Sequence, residues 1–159
     1  MHTKVKTRQE LVGLLDEIRR EGRRIVFTNG CFDLLHVGHI RYLQKAKELG
    51  DVLIVGLNSD DSVHLLGKGP GRPVIPESQR AEMVAALHCV DVVSMFHEPD
   101  PLLLIQTIQP HVLVKGGDWA PDQIIGREVV ENVGGSVRSI PLVPNISTTL
   151  LIQRIKNLP

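Results

Sequence analysis

The residues with the strongest chemical character lie between Thr28 and His39, in the run Thr28-Asn29-Gly30-Cys31-Phe32-Asp33-Leu34-Leu35-His36-Val37-Gly38-His39. Two histidines three residues apart project from one side of a first helical turn. The glycines around them let a ligand approach the backbone closely. Ile25 to Phe27 have the β-branched and aromatic character of a short buried strand, and Gly38 to Leu49 read as a helix. The histidines therefore fall where a strand passes into a helix, where free N–H groups and the helix dipole favour an anion. Two other readings of the pair stay open at this level, zinc ligation and a polar helix start with satisfied imidazoles. No Cys, Glu or third His is spaced to complete a zinc site. Neither GxGxxG nor GxxxxGK with Ser or Thr occurs at this turn, so the dinucleotide and P-loop patterns are excluded.

Two further segments point to phosphate. Ser147, Thr148 and Thr149, in Asn145-Ile146-Ser147-Thr148-Thr149, open a helix expected over Leu150 to Asn157. One hydroxyl satisfies a helix cap; three beside free N–H groups suit the outer phosphates of a nucleotide. The loop spanning 58 to 76 holds Gly67-Lys68-Gly69-Pro70-Gly71-Arg72-Pro73, glycine-rich and basic, and loops of this length are usually functional. The chain shows no Ser-His-Asp or Cys-His arrangement for covalent catalysis.

These segments need a scaffold, and the rest of the 159 residues reads as one. Thr7 and Glu10 form a capping box for an amphipathic helix of Leu11, Leu14, Leu15 and Ile18, ended by Gly22. Short apolar strands are expected at Val52 to Leu57, Val90 to Met95, Val112 to Val114 and Val137 to Ile140. Helical patterns lie between them, at 77 to 88, at 101 to 108 behind Asp100 and Pro101, and at 122 to 133 before Gly134-Gly135. Five buried strands alternating with helices predict an α/β fold of Rossmann-like kind: a doubly wound, five-stranded parallel sheet with helices on both faces, preceded by the N-terminal amphipathic helix. One domain over 1–159 is expected, with the first helix in 1–22 and the catalytic core in 24–156. Ligands of such sheets bind beyond the carboxyl ends of the strands.

Eighteen basic and eighteen acidic side chains cancel, so no global field favours nucleic acid or membrane, and a small ligand is expected. Cys31 and Cys89 form no metal-ligand spacing and suit a reducing compartment, Cys31 reading as a space-filling thiol. No apolar stretch approaches the roughly 18 residues of a membrane span, and no signal-peptide h-region is present. A soluble cytoplasmic protein is expected.

HVGH preceded by TNGCFD, with ISTT near the end, resembles the cytidylyltransferase-like family of nucleotidyltransferases, and the likeness spans Arg24 to Ile155. Within that family, Leu113-Val114-Lys115-Gly116-Gly117-Asp118-Trp119 and Gly126-Arg127-Glu128-Val129-Val130 are most similar to members that transfer AMP from ATP to D-glycero-β-D-manno-heptose 1-phosphate, giving ADP-heptose for the lipopolysaccharide inner core. The resemblance implies catalytic roles for His36, His39, Lys68 and Arg80 around the reacting phosphates. It implies nucleotide contacts from Thr28, Asn29, Gly30, Cys31, Phe32, Gly38, His39, Ser147, Thr148 and Thr149, and acceptor contacts from Asp33, Arg72, Lys115 and Asp118. On residue type alone, Lys68 also reads as a surface lysine, Arg80 as a surface ion pair with Glu77, and Trp119 as a packing residue. The resemblance further implies Mg²⁺ bound mainly through the nucleotide phosphates with no protein ligand named, ATP and heptose 1-phosphate as small-molecule substrates, and a homodimer or higher homo-oligomer. It suggests a stand-alone adenylyltransferase with a separate sugar kinase upstream. A sugar 1-phosphate is largely dianionic at neutral pH, its second pKa being about 6, so its oxygen can attack phosphorus without a general base. Members acting on glycerol phosphate carry an arginine before ISTT; this chain has Val143-Pro144-Asn145 there, which leaves backbone groups for recognition.

Overall fold

The computed structural model describes residues 4–117 and 119–159. Strands β1 (Ile25–Gly30), β2 (Val52–Asn58), β3 (Val92–Phe96), β4 (Val112–Gly116) and β5 (Ser136–Ile140) form one all-parallel sheet in the order β3-β2-β1-β4-β5. β1 and β2 pair over six registered residues, from Ile25 opposite Val52 to Gly30 opposite Leu57. All seven residues of β2 are buried, the continuous apolar character of a strand covered on both faces.

Among the described residues seven helices flank the sheet: α1 (Arg8–Arg20), α2 (Val37–Lys47), α3 (Asp60–Leu65), α4 (Glu77–Ala85), α5 (Leu102–Ile108), α6 (Arg127–Asn132) and α7 (Thr148–Lys156). Strand alternation splits the core in two. Phe27 and Ile54 face α1, α5 and α6 through Leu11, Leu15, Leu104, Ile108 and Val130. Val26 and Val55 face α2 and α4 through Leu43, Ala46, Ala81 and Val84. The expected doubly wound architecture is the observed one. Before α1, the Thr7 hydroxyl accepts from Glu10 N–H while the Glu10 carboxylate accepts from Thr7 N–H, the expected capping box. Lys6 N–H donates to Val93 O, and Val93 N–H to Lys4 O, so the N-terminal segment covers the outer edge of β3.

The expected helix over 122–133 divides into a short 3-10 turn (Pro121–Gln123) and α6. Gly126 adopts φ +84°, and a Cβ there would sit 2.6 Å from Ile105 Cδ1, so the chain turns where the helix would have run into α5. The loop over 58–76 contains α3, whose first turn is held by the Ser59 hydroxyl and by the Glu77 carboxylate accepting from Asp60 N–H. α7 begins at Thr148 with Ser147 as its cap, two residues before the expected start. β3 begins at Val92 and not at Val90.

In this strand order the winding reverses between β1 and β4, and the crevice opens beyond their carboxyl ends. The TNGCFD run begins in the last three residues of β1 and continues into the loop after it, and Lys115 lies at the carboxyl end of β4.

Candidate active site

A cleft of about 610 Å³ lies at that switch point. Its floor is the segment from Asn29 to Asp33, with His36, Gly38 and His39 at the start of α2. Ser147, Thr148 and Thr149 border it at the start of α7, Lys68 and Arg72 from the glycine-rich loop, and Lys115 from β4. Two expected site residues stand elsewhere: Thr28 and Arg80 are fully buried behind the wall. Asp118 lies outside the described residues.

The geometry of α2 fixes the chemistry of the histidine pair. His36, in extended conformation, is the N-cap; its Nδ1 accepts from Gly38 N–H at 3.1 Å, and His39 Nδ1 accepts from His36 N–H at 3.4 Å. The rings stack with centroids 3.8 Å apart and planes at 23°. With both Nδ1 lone pairs engaged, hydrogen-bond bookkeeping assigns the neutral tautomer with the proton on Nε2 to each ring. Burial lowers the pKa of His36. Burial first, then the facing His36 and Lys68, bring His39 down to about 4, against an opposing pull from Asp33. Both imidazoles are therefore neutral at pH 7 and act as N–H donors, and the fixed positive charge at the cleft comes from Lys68, Arg72 and Lys115. Gly38 is required by the pair itself, since a Cβ there would meet His36 Nδ1 and Cε1 at 2.9 Å.

Opposite, the helix start at α7 divides its three hydroxyls. Ser147 Oγ accepts from Leu150 N–H at 3.1 Å, Thr148 donates to the Asp33 carbonyl, and Thr149 is exposed. The N–H groups of Thr148 and Thr149, in the first turn, have no intrahelical acceptor and suit an anion.

Lys115 donates to the Asn29 side chain, and burial lowers its pKa to about 8. Asp33, expected at the acceptor, is 1% exposed and its carboxylate is occupied: it accepts from Arg72 Nε at 2.7 Å, Val74 N–H at 2.9 Å and Ile75 N–H at 3.0 Å. Burial raises its pKa, but these N–H donors and Arg72 outweigh burial and hold it below the ordinary carboxylate value. Arg80, expected beside the reacting phosphates or in a surface pair with Glu77, does neither. Its guanidinium donates to the carbonyls of Ile75, Cys31 and Asn58 at 2.6 to 2.8 Å and pairs with Asp60 at 2.7 Å. Thr28 Oγ1 donates to Val114 O at 3.0 Å and shares a 2.6 Å hydrogen bond with Tyr42, joining β1, β4 and α2.

Sequence reasoning passed over Tyr42, Leu142 and Ile146, all on the cleft wall. Tyr42 lies three residues beyond His39, on the same helical face, and that spacing was the available signal. Trp119 lines the cleft too, half exposed, with its indole N–H on Gly116 O at 2.9 Å. Among the described residues no three His, Cys, Asp or Glu side chains group as a metal site. No helix among the described residues is long and apolar enough to cross a membrane.

Fold and cleft together define a nucleotidyltransferase domain, and the chain belongs to the cytidylyltransferase-like family, whose model matches residues 27–154. It is 54% identical over 153 residues to the "Bifunctional protein HldE" of Syntrophotalea carbinolica and likewise to that of Geotalea uraniireducens, matches that cover 96% of this chain and 31% of each relative. The chain thus spans about a third of the length of these relatives. Among solved structures, a lipopolysaccharide core biosynthesis protein from Thermoplasma volcanium is similar with TM-score 0.62 and 29% identity, over 77% of this chain and 98% of that one. A pantoate-beta-alanine ligase from Francisella tularensis shares the fold with TM-score 0.66 at 19% identity, over 98% of this chain and 73% of that one.

Proposed function

We infer that this chain transfers AMP from ATP to a heptose 1-phosphate, releasing pyrophosphate and forming ADP-heptose for lipopolysaccharide assembly. The observation that carries the reading is the stacked, neutral His36–His39 pair, with its Nε2–H edges left for the cleft between the N-terminus of α7 and the cations Lys68, Arg72 and Lys115. The 54% identity to bifunctional HldE proteins and the likeness to a lipopolysaccharide core biosynthesis protein support a sugar-phosphate acceptor, and the Lys115 to Trp119 block favours the heptose among these.

In this reading the triphosphate enters with its Mg²⁺, which neutralises phosphate charge. His36 and His39 donate to the α-phosphate, and the first turn of α7 with Ser147 and Thr149 holds the β- and γ-phosphates. The acceptor phosphate, already dianionic, attacks the α-phosphorus in line. A new O–P bond forms as the bond from the α-phosphorus to the α,β-bridging oxygen breaks, that oxygen leaving with pyrophosphate, and there is no proton to remove from the nucleophile. Lys115, in its charged form, and Arg72 hold the acceptor dianion, and Lys68 balances charge on the transferring group. Neutral imidazoles suit this task, because they hydrogen-bond the developing charge without adding like charge beside Lys68.

Pyrophosphate release with each of the four nucleoside triphosphates, against heptose 1-phosphate and glycerol 3-phosphate, tests the reading. Turnover is expected with ATP and heptose 1-phosphate. Turnover confined to CTP and glycerol 3-phosphate, or nucleotide binding with no turnover on any acceptor, overturns it.

A further inference from the structure

Arg80 and Asp33 are among the most deeply buried charged side chains of the protein, 0% and 1% exposed, and protein groups occupy the charged ends of both. Their hydrogen bonds close a ring. Arg80 Nη1 donates to the Cys31 carbonyl at 2.6 Å and Nε to the Ile75 carbonyl at 2.8 Å. The Ile75 N–H donates to Asp33 Oδ1 at 3.0 Å. Cys31 and Asp33 are joined through one residue, Phe32, so main chain and hydrogen bonds together form a loop with Phe32 at its centre.

Phe32 has φ +48°, in the left-handed region that bulky side chains avoid. Such a conformation persists only where the surroundings over-determine it. Its ring is 4% exposed and leans on His39, with centroids 5.4 Å apart and planes at 60°. The ring of bonds is anchored on two sides, by Arg80 Nη1 on the Asn58 carbonyl at the end of β2 and by the Thr148 hydroxyl on the Asp33 carbonyl. We propose that Arg80 and Asp33 are positioning residues, a buckle that holds Phe32 in its left-handed conformation against His39 and so keeps the catalytic imidazole dry and aimed into the cleft.

The chemistry of the two residues fits the task. Three carbonyls and a carboxylate surround Arg80, a set that a planar guanidinium fork satisfies and a lysine ammonium does not. His39 is faced by His36, Lys68, Asp33 and the Phe32 ring. An opened buckle admits water to His39, and its pKa rises toward the ordinary imidazole value of about 6.5.

The proposal depends on the nucleotidyl-transfer reading only in its kinetic arm, so the deciding experiment uses no substrate. The Cε1–H signals of the histidines are titrated by NMR in the ligand-free chain, in Arg80→Lys and in Asp33→Asn, with Val84→Ala as a core variant of matched destabilisation. His39 is expected to titrate at about 4 in the parent. In both buckle variants the midpoint rises by at least about one pH unit, and in Val84→Ala it stays. Asp33→Asn gives a decisive sign, because removal of the Asp33 charge by itself lowers the His39 pKa, whereas an opened buckle raises it. In the kinetic arm kcat falls at least about tenfold in both variants while KM for ATP changes less than about threefold. If Arg80→Lys does not fold, Asp33→Asn alone decides. A His39 midpoint that is unmoved or lowered in the folded variants, or an equal rise in Val84→Ala, overturns the proposal.

Discussion

Gly38→Ala separates activity from stability. A methyl group at position 38 lies 2.9 Å from Cε1 and Nδ1 of His36 and 3.2 Å from Cγ2 of Ile146. Comfortable carbon contacts begin at about 3.5 Å, so the His36 ring must withdraw by roughly half an ångström or more. It can do so, because it is a partly exposed ring on two rotatable bonds, and Gly38 is not among the glycines with positive φ. The stability terms nearly cancel. Alanine in place of glycine in a helix gains about 1 kcal/mol, and loss of the cap from Gly38 N–H to His36 Nδ1 costs about 1 kcal/mol. Activity has no such compensation, since the displaced ring leaves its stacked position 3.8 Å from His39 and carries its Nε2–H away from the transferring phosphate. A misplacement approaching 1 Å costs about 10²-fold in rate. Pyrophosphate release should therefore show kcat/KM lower by about two orders of magnitude, while urea unfolding places stability within about 1 kcal/mol of the parent. A Gly38→Ala chain that keeps more than roughly a third of its turnover, well short of the loss such a displacement brings, would refute the placement of His36 at the reacting phosphate.

Three further outcomes follow from individual groups. Lys115, with its pKa lowered to about 8, loses its charge as pH rises through that value, so kcat/KM for the acceptor should fall above about pH 8, and Lys115→Gln should lower kcat/KM at least about tenfold and remove that limb. His111 Nδ1 accepts from Ile25 N–H at 2.9 Å, and burial, with Arg24 and Arg19 nearby, lowers its pKa. The unfolded chain then binds the proton more readily, so His111 adds to the decline in stability that His36 and His39 also cause as pH falls below about 6.5, and His111→Gln should make that part of a denaturation series shallower without abolishing it. Tyr42→Phe removes the hydroxyl shared with Thr28 while keeping the ring beside Gly116, and should cost about 1 kcal/mol in urea unfolding, with a smaller fall in turnover than Gly38→Ala.

What the sequence makes legible here follows the range of the interactions involved. The capping box at Thr7, the strand-to-helix turn at His36 and the helix start at Ser147 are set by neighbours within four residues, and each was readable from spacing. The sheet was readable because Val52 to Leu57 must be covered on both faces, which only a parallel core provides. Residues whose partners lie far along the chain behave otherwise. Arg80 is bound by carbonyls 49 and 22 residues away, and Asp33 by N–H groups 41 and 42 residues away, separations that no local pattern encodes. The family resemblance places both at the substrates, and residue type alone puts Arg80 in a surface pair, because burial of a charge is costly and rare unless it is fully paired. In this fold pairing is complete for these two, and the consequence is a division of labour. Lys68 on the glycine loop stays exposed to the cleft and Lys115 lines it from the end of β4, while the buried pair fixes the loop on which the neutral imidazoles depend.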